Sequence, residues 1–491
     1  MQYQSTRDKN LKASSAQAIL NGLAPDGGLY TMSSFDEVKF DYTTVLNMDT
    51  MSMSTKILSK LLPDFSEAEM AKLVHDGYTG KFETDHLTPT VPVGEDFILE
   101  LFRGPTSAFK DVALSMLPRL MTASKEKLGV DDEIMILTAT SGDTGKAALQ
   151  GFADVPGTKI LVFYPYSGVS EIQRLQMATQ AGDNVAVSAV RGNFDDAQTG
   201  VKQIFGDKAF AAELSQRGWF LSSANSINWG RLLPQIVYYF SAYCDAVTGG
   251  MIAMGDKLNF VVPTGNFGDI LAGWYAKEMG LPVGKLICAS NANNVLTDFI
   301  RTGTYNKNRP FHTTASPSMD ILVSSNLERL LYALCGSDVE VAGYMQQLRE
   351  QGSYTVSDAL KAKIQEVFAG GFCNDIQTRE KIGHAWRDHR YLIDTHTAVA
   401  YHVLDDYRRE TGDTTPSVVV STASPFKFCD QVLRGIGGTA DAFGPALIRR
   451  LSCETQIDAP APLTGLDARP VRFGGCVDKA QMLHTVDEFL K

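Results

Sequence analysis

Apolar residues recur along this chain in two patterns, one typical of buried strands and one of helices. Between about residues 133 and 263, short runs rich in aliphatic and β-branched residues alternate with helical stretches. The runs are 134–137, 159–163, 185–190 and 260–262. The spacing leaves room for one crossover helix between successive runs. The pattern therefore predicts an α/β fold, a parallel sheet with helices on both faces.

The flanking regions follow other patterns. Residues 1–90 combine a glycine-rich turn at 25–28 with helical periodicity at 54–62 and 66–73, which predicts a mainly helical N-terminal domain. Residues 91–491 are predicted to form two α/β subdomains. From about 303 to 390 the pattern predicts a helical insertion that caps a site, broken at Gly370-Gly371. A last strand, 417–421, returns the chain to the sheet.

Composition excludes several function classes. The 491 residues are 44% apolar and 21% charged, which is ordinary for a globular protein of two or three domains. The net charge of −11 argues against a nucleic-acid partner. The seven cysteines include no close pair, so we expect no metal site. The first residues lack a signal peptide's apolar core, and no run is long enough for a membrane helix, so we expect a cytoplasmic protein. The sequence leaves the oligomeric state open between a monomer and a dimer.

Two segments of the chain offer complementary functional groups, a lysine amine and a glycine-rich turn. Lys110 lies within 104–111, next to Phe109 and just before a helical pattern. A lysine amine, once deprotonated, forms a Schiff base with a carbonyl cofactor, and an apolar neighbour promotes deprotonation. The alternative is an ordinary solvated lysine.

The second segment is a glycine-rich turn between a predicted strand and helix, where backbone N–H groups can approach a phosphate closely. It comprises Gly265, Asn266, Phe267, Gly268 and Asp269. The third glycine of a dinucleotide-binding motif is absent. We expect Asp269 to cap the helix or bind a backbone amide rather than face a phosphate. Together the two segments indicate a pyridoxal-phosphate site.

A third turn, 140–145, also joins a strand to a helix and could bind a carboxylate or phosphate. It is no nucleotide P-loop, because Ala147 stands where Ser or Thr is required and Thr140 replaces the first glycine. An ordinary capped turn remains the alternative.

A fourth segment, 222–231, offers amides, hydroxyls and a guanidinium that suit a second anion. Its candidate ligands are Asn225, Ser226 and Arg231. A polar loop that caps the next helix explains the same residues equally well.

These motifs, with the segment 22–30, resemble the threonine synthase family of the long bacterial and fungal type, nearly end to end. That family belongs to the fold type II (tryptophan synthase β-like) enzymes, whose cofactor is pyridoxal 5'-phosphate. The resemblance implies that Lys110 holds the cofactor, that 265–269 surround its phosphate and that Thr422 meets its pyridine nitrogen. Residues 91–491 would then be the catalytic region.

The resemblance also implies a substrate, O-phospho-L-homoserine, and the last step of threonine biosynthesis, in which phosphate leaves and water adds. Its carboxylate would be faced by Ser141, Gly142, Asp143 and Thr144. Its phosphate would be held by Asn225, Ser226 and Arg231. Three alternatives stay open: a lyase that forms 2-oxobutyrate from the same substrate, a serine or threonine dehydratase, and a catalytically silent binding protein.

Asp143 departs from many fold type II relatives, which have an asparagine there that donates to the cofactor's phenolic oxygen. An ionised carboxylate cannot donate. Asp143 is therefore protonated, or its side chain points elsewhere, or another group donates the hydrogen bond to the phenolic oxygen.

Overall fold

A computed structural model describes residues 1–140, 142–167 and 169–491. The strands are β1 (Tyr3–Ser5), β2 (Lys12–Ala13), β3 (Tyr30–Met32), β4 (Thr90–Val93), β5 (Asp96–Glu100), β6 (Glu133–Ala139), β7 (Thr158–Pro165), β8 (Val185–Val190), β9 (Trp219–Ser222), β10 (Leu258–Pro263), β11 (Val283–Ser290), β12 (Thr304–Asn306), β13 (Ser353–Thr355), β14 (Phe368–Phe372), β15 (Ser417–Ser421) and β16 (Cys476–Val477). The helices are α1 (Ser15–Asn21), α2 (Thr50–Leu61), α3 (Glu67–Tyr78), α4 (Lys110–Leu128), α5 (Asp143–Phe152), α6 (Glu171–Ala178), α7 (Phe194–Gly206), α8 (Lys208–Gln216), α9 (Trp229–Thr248), α10 (Gly268–Met279), α11 (Val295–Thr302), α12 (Leu327–Cys335), α13 (Asp338–Glu350), α14 (Asp358–Val367), α15 (Asp375–His389), α16 (Thr395–Thr411), α17 (Cys429–Gly435), α18 (Pro445–Thr455) and α19 (Met482–Leu490). Among the described helices, none is both long and apolar enough to cross a membrane.

Two parallel sheets form the framework. The five-stranded sheet has the order β16-β8-β7-β6-β9, and the six-stranded sheet the order β14-β11-β10-β15-β5-β4. Every pairing within them is parallel except that of β4 with β5. The predicted strands are all present, but the run 260–262 lies in β10 of the second sheet, so the single predicted sheet is in fact two. The predicted last strand is confirmed as β15, at the centre of the second sheet.

The N-terminal segment packs into the framework. Its antiparallel sheet, β2-β1-β3, and its helices share one hydrophobic cluster with α4, α9 and α10. Tyr3, for example, is fully buried and its ring centre lies 5.2 Å from that of Trp229 in α9. The division at residue 90 remains a prediction.

The region 303–390 corrects one expectation. Its helices α12 to α15 are present, but Gly370-Gly371 lie inside strand β14, which extends the six-stranded sheet. A Cβ on Gly371 would lie 2.6 Å from the Val403 side chain, and one on Gly370 would lie 3.1 Å from the Thr297 backbone. The glycines are needed for close packing, and the prediction of a break was wrong.

Candidate active site

The candidate site residues lie in loops that follow the carboxyl ends of parallel strands. Lys110 follows β5, the turn 140–144 follows β6 and the loop 223–231 follows β9. The loop 264–269 follows β10, and Thr422 follows β15. The carboxyl ends of parallel strands share one edge of a sheet, which is where open α/β folds bind ligands.

Lys110 begins α4 with its side chain 9% exposed. Its Nζ lies 4.4 Å from the centre of the Phe109 ring. Burial lowers the pKa of Lys110 to about 8; the charge of Asp143 opposes the shift, while those of Arg231 and Lys427 add to it. An appreciable fraction of the amine is therefore unprotonated near neutral pH, as a nucleophile or base requires.

Thr422 is tied to the Lys110 loop through the backbone. The Phe109 N–H donates to the Thr422 carbonyl oxygen at 2.8 Å, and the Ser424 N–H donates to the Ser107 carbonyl oxygen at 3.1 Å. Thr422 is itself buried. These bonds fix the position of Thr422 relative to Lys110, which a site shared by both residues requires.

Asp143 is buried and paired with a lysine to which the sequence analysis assigned no role. Lys427 Nζ lies 2.6 Å from Asp143 Oδ1, and Gln173 Nε2 donates to the same oxygen at 3.0 Å. Ser318 Oγ donates to Oδ2 at 3.3 Å. Burial by itself raises the pKa of Asp143, but the charges of Lys427 and Lys110 and the hydrogen bonds outweigh it and hold the pKa below its ordinary value. Of the three alternatives for Asp143, these contacts favour an ionised carboxylate that is held by Lys427, Gln173 and Ser318.

The turn before α5 uses some of its own donors. Thr140 Oγ1 accepts from the backbone N–H groups of Gly142 and Gly145, both at 3.0 Å. Those amides are engaged within the protein, which leaves the N–H groups of Asp143 and Thr144 in the first turn of the helix. Ser141 lies outside the described residues. The predicted contacts of Ser141, Gly142 and Thr144 with a substrate carboxylate stay predictions.

The loop 264–269 turns its carbonyl groups towards the segment that precedes α12. The Gly265 oxygen accepts from Ser324 Oγ at 2.7 Å, and the Asn266 oxygen accepts from the Asn326 N–H at 3.1 Å. In a trans peptide the N–H points opposite to the C=O. The N–H groups of Asn266 and Phe267 thus face the other way, and among the described residues they have no acceptor.

This geometry makes the loop an anion cradle. Phe267 has φ = 62°, a left-handed conformation uncommon outside glycine, and it directs the chain into α10. A Cβ on Gly265 would lie 2.9 Å from the Ser318 carbonyl oxygen, so only glycine fits there. Outward amides at a helix N-terminus provide the donors and the positive potential that a phosphate needs.

Asp269 does not cap α10, contrary to expectation. Its Oδ1 accepts from the hydroxyl groups of Tyr238 at 2.6 Å and Tyr239 at 2.8 Å. Burial raises the pKa of Asp269 to about 6, although the two tyrosine hydrogen bonds and Lys110 oppose the shift. The physical reason is that two buried hydroxyl donors on α9 compete successfully with the helix N–H groups for the carboxylate.

Arg231, in the first turn of α9, is 3% exposed. Its Nη1 donates to the Ala224 carbonyl oxygen at 2.7 Å, and its buried Nε has no partner among the described residues. Burial lowers the pKa of Arg231 to about 10, so the guanidinium remains charged at neutral pH, and no carboxylate of the described residues contributes to this shift. Arg231 therefore keeps charge and donors for an anion, whereas the predicted roles of the exposed Asn225 and half-buried Ser226 stay predictions.

Asn326, just before α12, joins the two candidate anion loops. Its Nδ2 donates to the carbonyl oxygens of Ser226 at 3.3 Å and Asn266 at 3.1 Å. Its Oδ1 accepts from Arg329 Nη1 at 2.5 Å, and Arg329 Nη2 donates to the Ile227 carbonyl oxygen at 2.6 Å. The guanidinium of Arg329 donates its hydrogen bonds to acceptors within the protein, and it thereby holds the loops in place.

Sequence reasoning missed Lys427, Asn326 and Arg329. Lys427 had a usable signal, because it stands between Phe426 and Phe428 as Lys110 stands beside Phe109. Asn326 and Arg329 act on loops remote in sequence, and no local pattern indicates such contacts.

Comparison with known proteins decides the family. A family model described as "Threonine synthase N terminus" matches residues 2–78, "Pyridoxal-phosphate dependent enzyme" matches 93–423, and "Threonine synthase, C-terminal" matches 397–486. The threonine synthase of Pseudomonas aeruginosa is 38% identical over 442 residues, which cover 89% of this chain and 91% of that protein. The chain belongs to the threonine synthase family.

Two further members illustrate the range of the family. The crystal structure of pyridoxal-phosphate-bound threonine synthase from Brucella melitensis aligns with a TM-score of 0.87 at 36% identity, and the alignment covers 100% of this chain and 98% of that one. It confirms the expected fold type II architecture. Human "Threonine synthase-like 1" is 38% identical over 86% of this chain, but this chain spans only 58% of its length.

Pyridoxal phosphate is the cofactor of this family, and the residues here fit it. The buried Lys110 amine suits the aldehyde. The free N–H groups of Asn266 and Phe267 at the start of α10 suit the phosphate.

Proposed function

We propose that this chain is a threonine synthase, which converts O-phospho-L-homoserine and water into L-threonine and phosphate. The observation that carries the proposal is the buried Arg231 with no described carboxylate partner. The amides of the 264–269 loop account for the phosphate of the cofactor. Arg231 provides a second anion subsite, beyond the one for the cofactor. This subsite favours a substrate that carries a phosphate of its own.

Lys110 is the proposed base. Pyridoxal phosphate, when bound, supplies the conjugated ring that accepts negative charge from the α-carbon of the substrate. Lys110 Nζ then takes the α-proton, and its pKa of about 8 lets it both accept and return protons near neutral pH. The neutral hydroxyl of Thr422 is the proposed partner of the ring nitrogen.

Phosphate departure and water addition follow at the neighbouring carbons. Lys110 would first pass the α-proton to the bound cofactor, which frees its nitrogen to take a proton from the β-carbon as the bond between the γ-carbon and the phosphate oxygen breaks. A proton then adds to the γ-carbon, water adds to the β-carbon, and the α-carbon regains its proton. A flexible lysine side chain can reach these carbons in turn, which a shorter base cannot.

Arg231 has a role beyond binding. Negative charge grows on the phosphate as the bond breaks, so hydrogen bonds from a buried guanidinium strengthen towards the transition state. Ser226 and Asn225 are the proposed further ligands of this phosphate, and the backbone N–H groups of Asp143 and Thr144 are those of the substrate carboxylate, since the Gly142 N–H is bound to Thr140.

The test is a product balance. Cofactor-loaded protein is incubated with O-phospho-L-homoserine, and phosphate, threonine and 2-oxobutyrate are measured in the same sample. Threonine equal to phosphate is the expected result. Phosphate with 2-oxobutyrate would indicate the lyase, turnover of L-serine without phosphate release would indicate a dehydratase, and no turnover would favour a silent binding protein.

Variants test the two assigned side chains in the same assay. Lys110→Ala should lose the visible absorbance of the covalently held cofactor, whereas Lys146→Met, at another buried lysine, should keep it. Arg231→Met should lower kcat/KM by about 30- to 1,000-fold, because a buried charged donor contributes about 2–4 kcal/mol. Arg349→Met, on the exposed face of α13, is the matched control.

A further inference from the structure

Lys427 is a charged side chain in a fully buried place. It closes a short 3-10 turn, Pro425–Lys427, directly after β15, and is 1% exposed. Its Nζ lies 2.6 Å from Asp143 Oδ1 and donates to the Thr106 carbonyl oxygen at 3.1 Å. Asp143 follows a strand of the five-stranded sheet, and Thr106 lies in the loop that leads to Lys110. One side chain thus joins the loops on both sides of the site.

The pair is completed by neutral donors. Gln173 Nε2 and Ser318 Oγ donate to the two oxygens of Asp143, so the carboxylate is held from three directions. A buried ion pair is often no more stabilising than well-packed neutral side chains of similar volume. The two charges are thus better explained by their effect on a neighbour than by a contribution to stability.

That neighbour is Lys110. The negative charge of Asp143 favours the protonated amine, and the positive charge of Lys427 disfavours it. The charges of Arg231 and Asp111 also act on the pKa of Lys110, and the charge of Lys110 acts on that of Asp269. The charge of Lys427 acts on the pKa values of Lys146 and Asp111. Because the charges of Asp143 and Lys427 are opposite, their effects on the pKa of Lys110 oppose each other while both are present, and that of Asp143 is the larger.

We propose that Lys427 is a positioning residue of this site, which acts through its ion pair with Asp143 to fix the proton affinity of the Lys110 nitrogen. With Lys427 in place, Asp143 is engaged and does not become the counter-ion of Lys110. The nitrogen can then exchange its proton near neutral pH. The inference rests on the proposed role of Lys110 as the cofactor-bound lysine, and it does not depend on the substrate.

The experiment is a pH titration of the visible absorbance of the cofactor bound to Lys110. Lys427→Met leaves Asp143 unpaired, so the midpoint should rise by about one pH unit or more. Asp143→Asn leaves the Lys427 ammonium unpaired, so the midpoint should fall by a similar amount. The double variant, which lacks both charges, should have a midpoint between those of the two single variants. Lys427→Arg keeps the positive charge, so its midpoint should stay close to that of the natural protein.

Opposite shifts in the two single variants, with the double variant between them, are the required result, since a merely structural role predicts no such sign pattern. Shifts of the same sign, or none, would overturn the inference. If Lys427→Met does not fold, a midpoint of the double variant above that of Asp143→Asn still tests the opposing effect of Lys427. Lys202→Met, on the exposed face of α7, is the control. Persistence of the absorbance in Lys110→Ala would instead contradict the proposed cofactor lysine.

Discussion

At the scale of single residues, Asp269 shows how a carboxylate is kept in the protein interior without a described cation in contact with it. Two tyrosine hydroxyls donate to Oδ1, and Oδ2 is buried with no partner among the described residues. Burial is the largest influence and raises the pKa of Asp269 to about 6. The folded state thus binds this proton more tightly than the unfolded state. The resulting stability is fully present below the unfolded pKa of 3.8 and is lost as the pH rises to about 6.

Asp269→Asn keeps an acceptor for both tyrosines and removes the ionisation. At pH 7.5 the free energy of unfolding of the cofactor-free variant should exceed that of the natural protein by about 1–2 kcal/mol, because no buried charge remains. At pH 4 the difference should shrink towards zero. Urea unfolding at the two pH values measures it, with the exposed Asp358→Asn as control. A difference that is the same at both values would show that ionisation of Asp269 is not its source.

At the scale of elements, the start of α12 determines how the two anion loops lie relative to each other. The Asn326 side chain donates to the carbonyl oxygens of Ser226 and Asn266, one residue in each loop, and Arg329 donates to Asn326 in turn. The helical region 303–390 is thus a structural part of the site. Coupling of the loops through one side chain has a measurable consequence.

Asn326→Ala should weaken binding of the cofactor and of the phosphorylated substrate together. It removes the Asn326 side-chain donor from the Ser226 and Asn266 carbonyl oxygens and leaves a buried donor of Arg329 without its acceptor, the last at a cost of about 1–3 kcal/mol. We expect roughly tenfold or greater loss in cofactor affinity and a comparable rise in substrate KM. Cofactor dissociation is followed by absorbance, and Gln346→Ala on the exposed face of α13 serves as control. A change in only one of the two affinities would show that the loops are independent.

Element prediction succeeded where the apolar pattern was strong and failed where packing decided the residue type. The runs at β6, β7 and β8 consist mainly of buried apolar residues, which the pattern alone identifies. Strand β14 reads Phe-Ala-Gly-Gly-Phe, which lacks β-branched residues, because the Thr297 backbone of α11 and the Val403 side chain of α16 occupy the space of a Cβ. Such a constraint comes from elements far away in sequence and leaves no local signal.

At the scale of the whole molecule, the same limit applies to the site. Lys110, the 264–269 loop and Arg231 carry local signals, namely an apolar neighbour, glycines and a polar helix start. The pairing of Asp143 with Lys427 depends on two sheets meeting at their carboxyl edges, and the chain separates the two residues by most of the catalytic region. The sequence therefore predicts which residues are candidates for the site, but it does not predict which of their charges pair with each other.

The N-terminal segment is joined to the rest of the molecule by an asymmetric ion pair. Arg7 contacts Glu328 of α12 with two hydrogen bonds of 2.8 Å, and Thr6 Oγ1 donates to the same carboxylate at 2.6 Å. The Arg7 side chain is 24% exposed and that of Glu328 only 5%. If Glu328 is lost, Arg7 can still be hydrated. If Arg7 is lost, a buried carboxylate remains without its cation.

Arg7→Met should therefore cost more stability than Glu328→Met, by about 1 kcal/mol or more, and the double variant should cost less than the sum of the two. Because the N-terminal helices share one hydrophobic cluster with α4 and α9, the whole chain should respond as a unit. Far-UV circular dichroism and the absorbance of the bound cofactor should thus shift together on heating. An early transition in Arg7→Met that leaves the cofactor absorbance unchanged would instead mean that the N-terminal segment unfolds on its own, and that its contacts with α12 do not support the site.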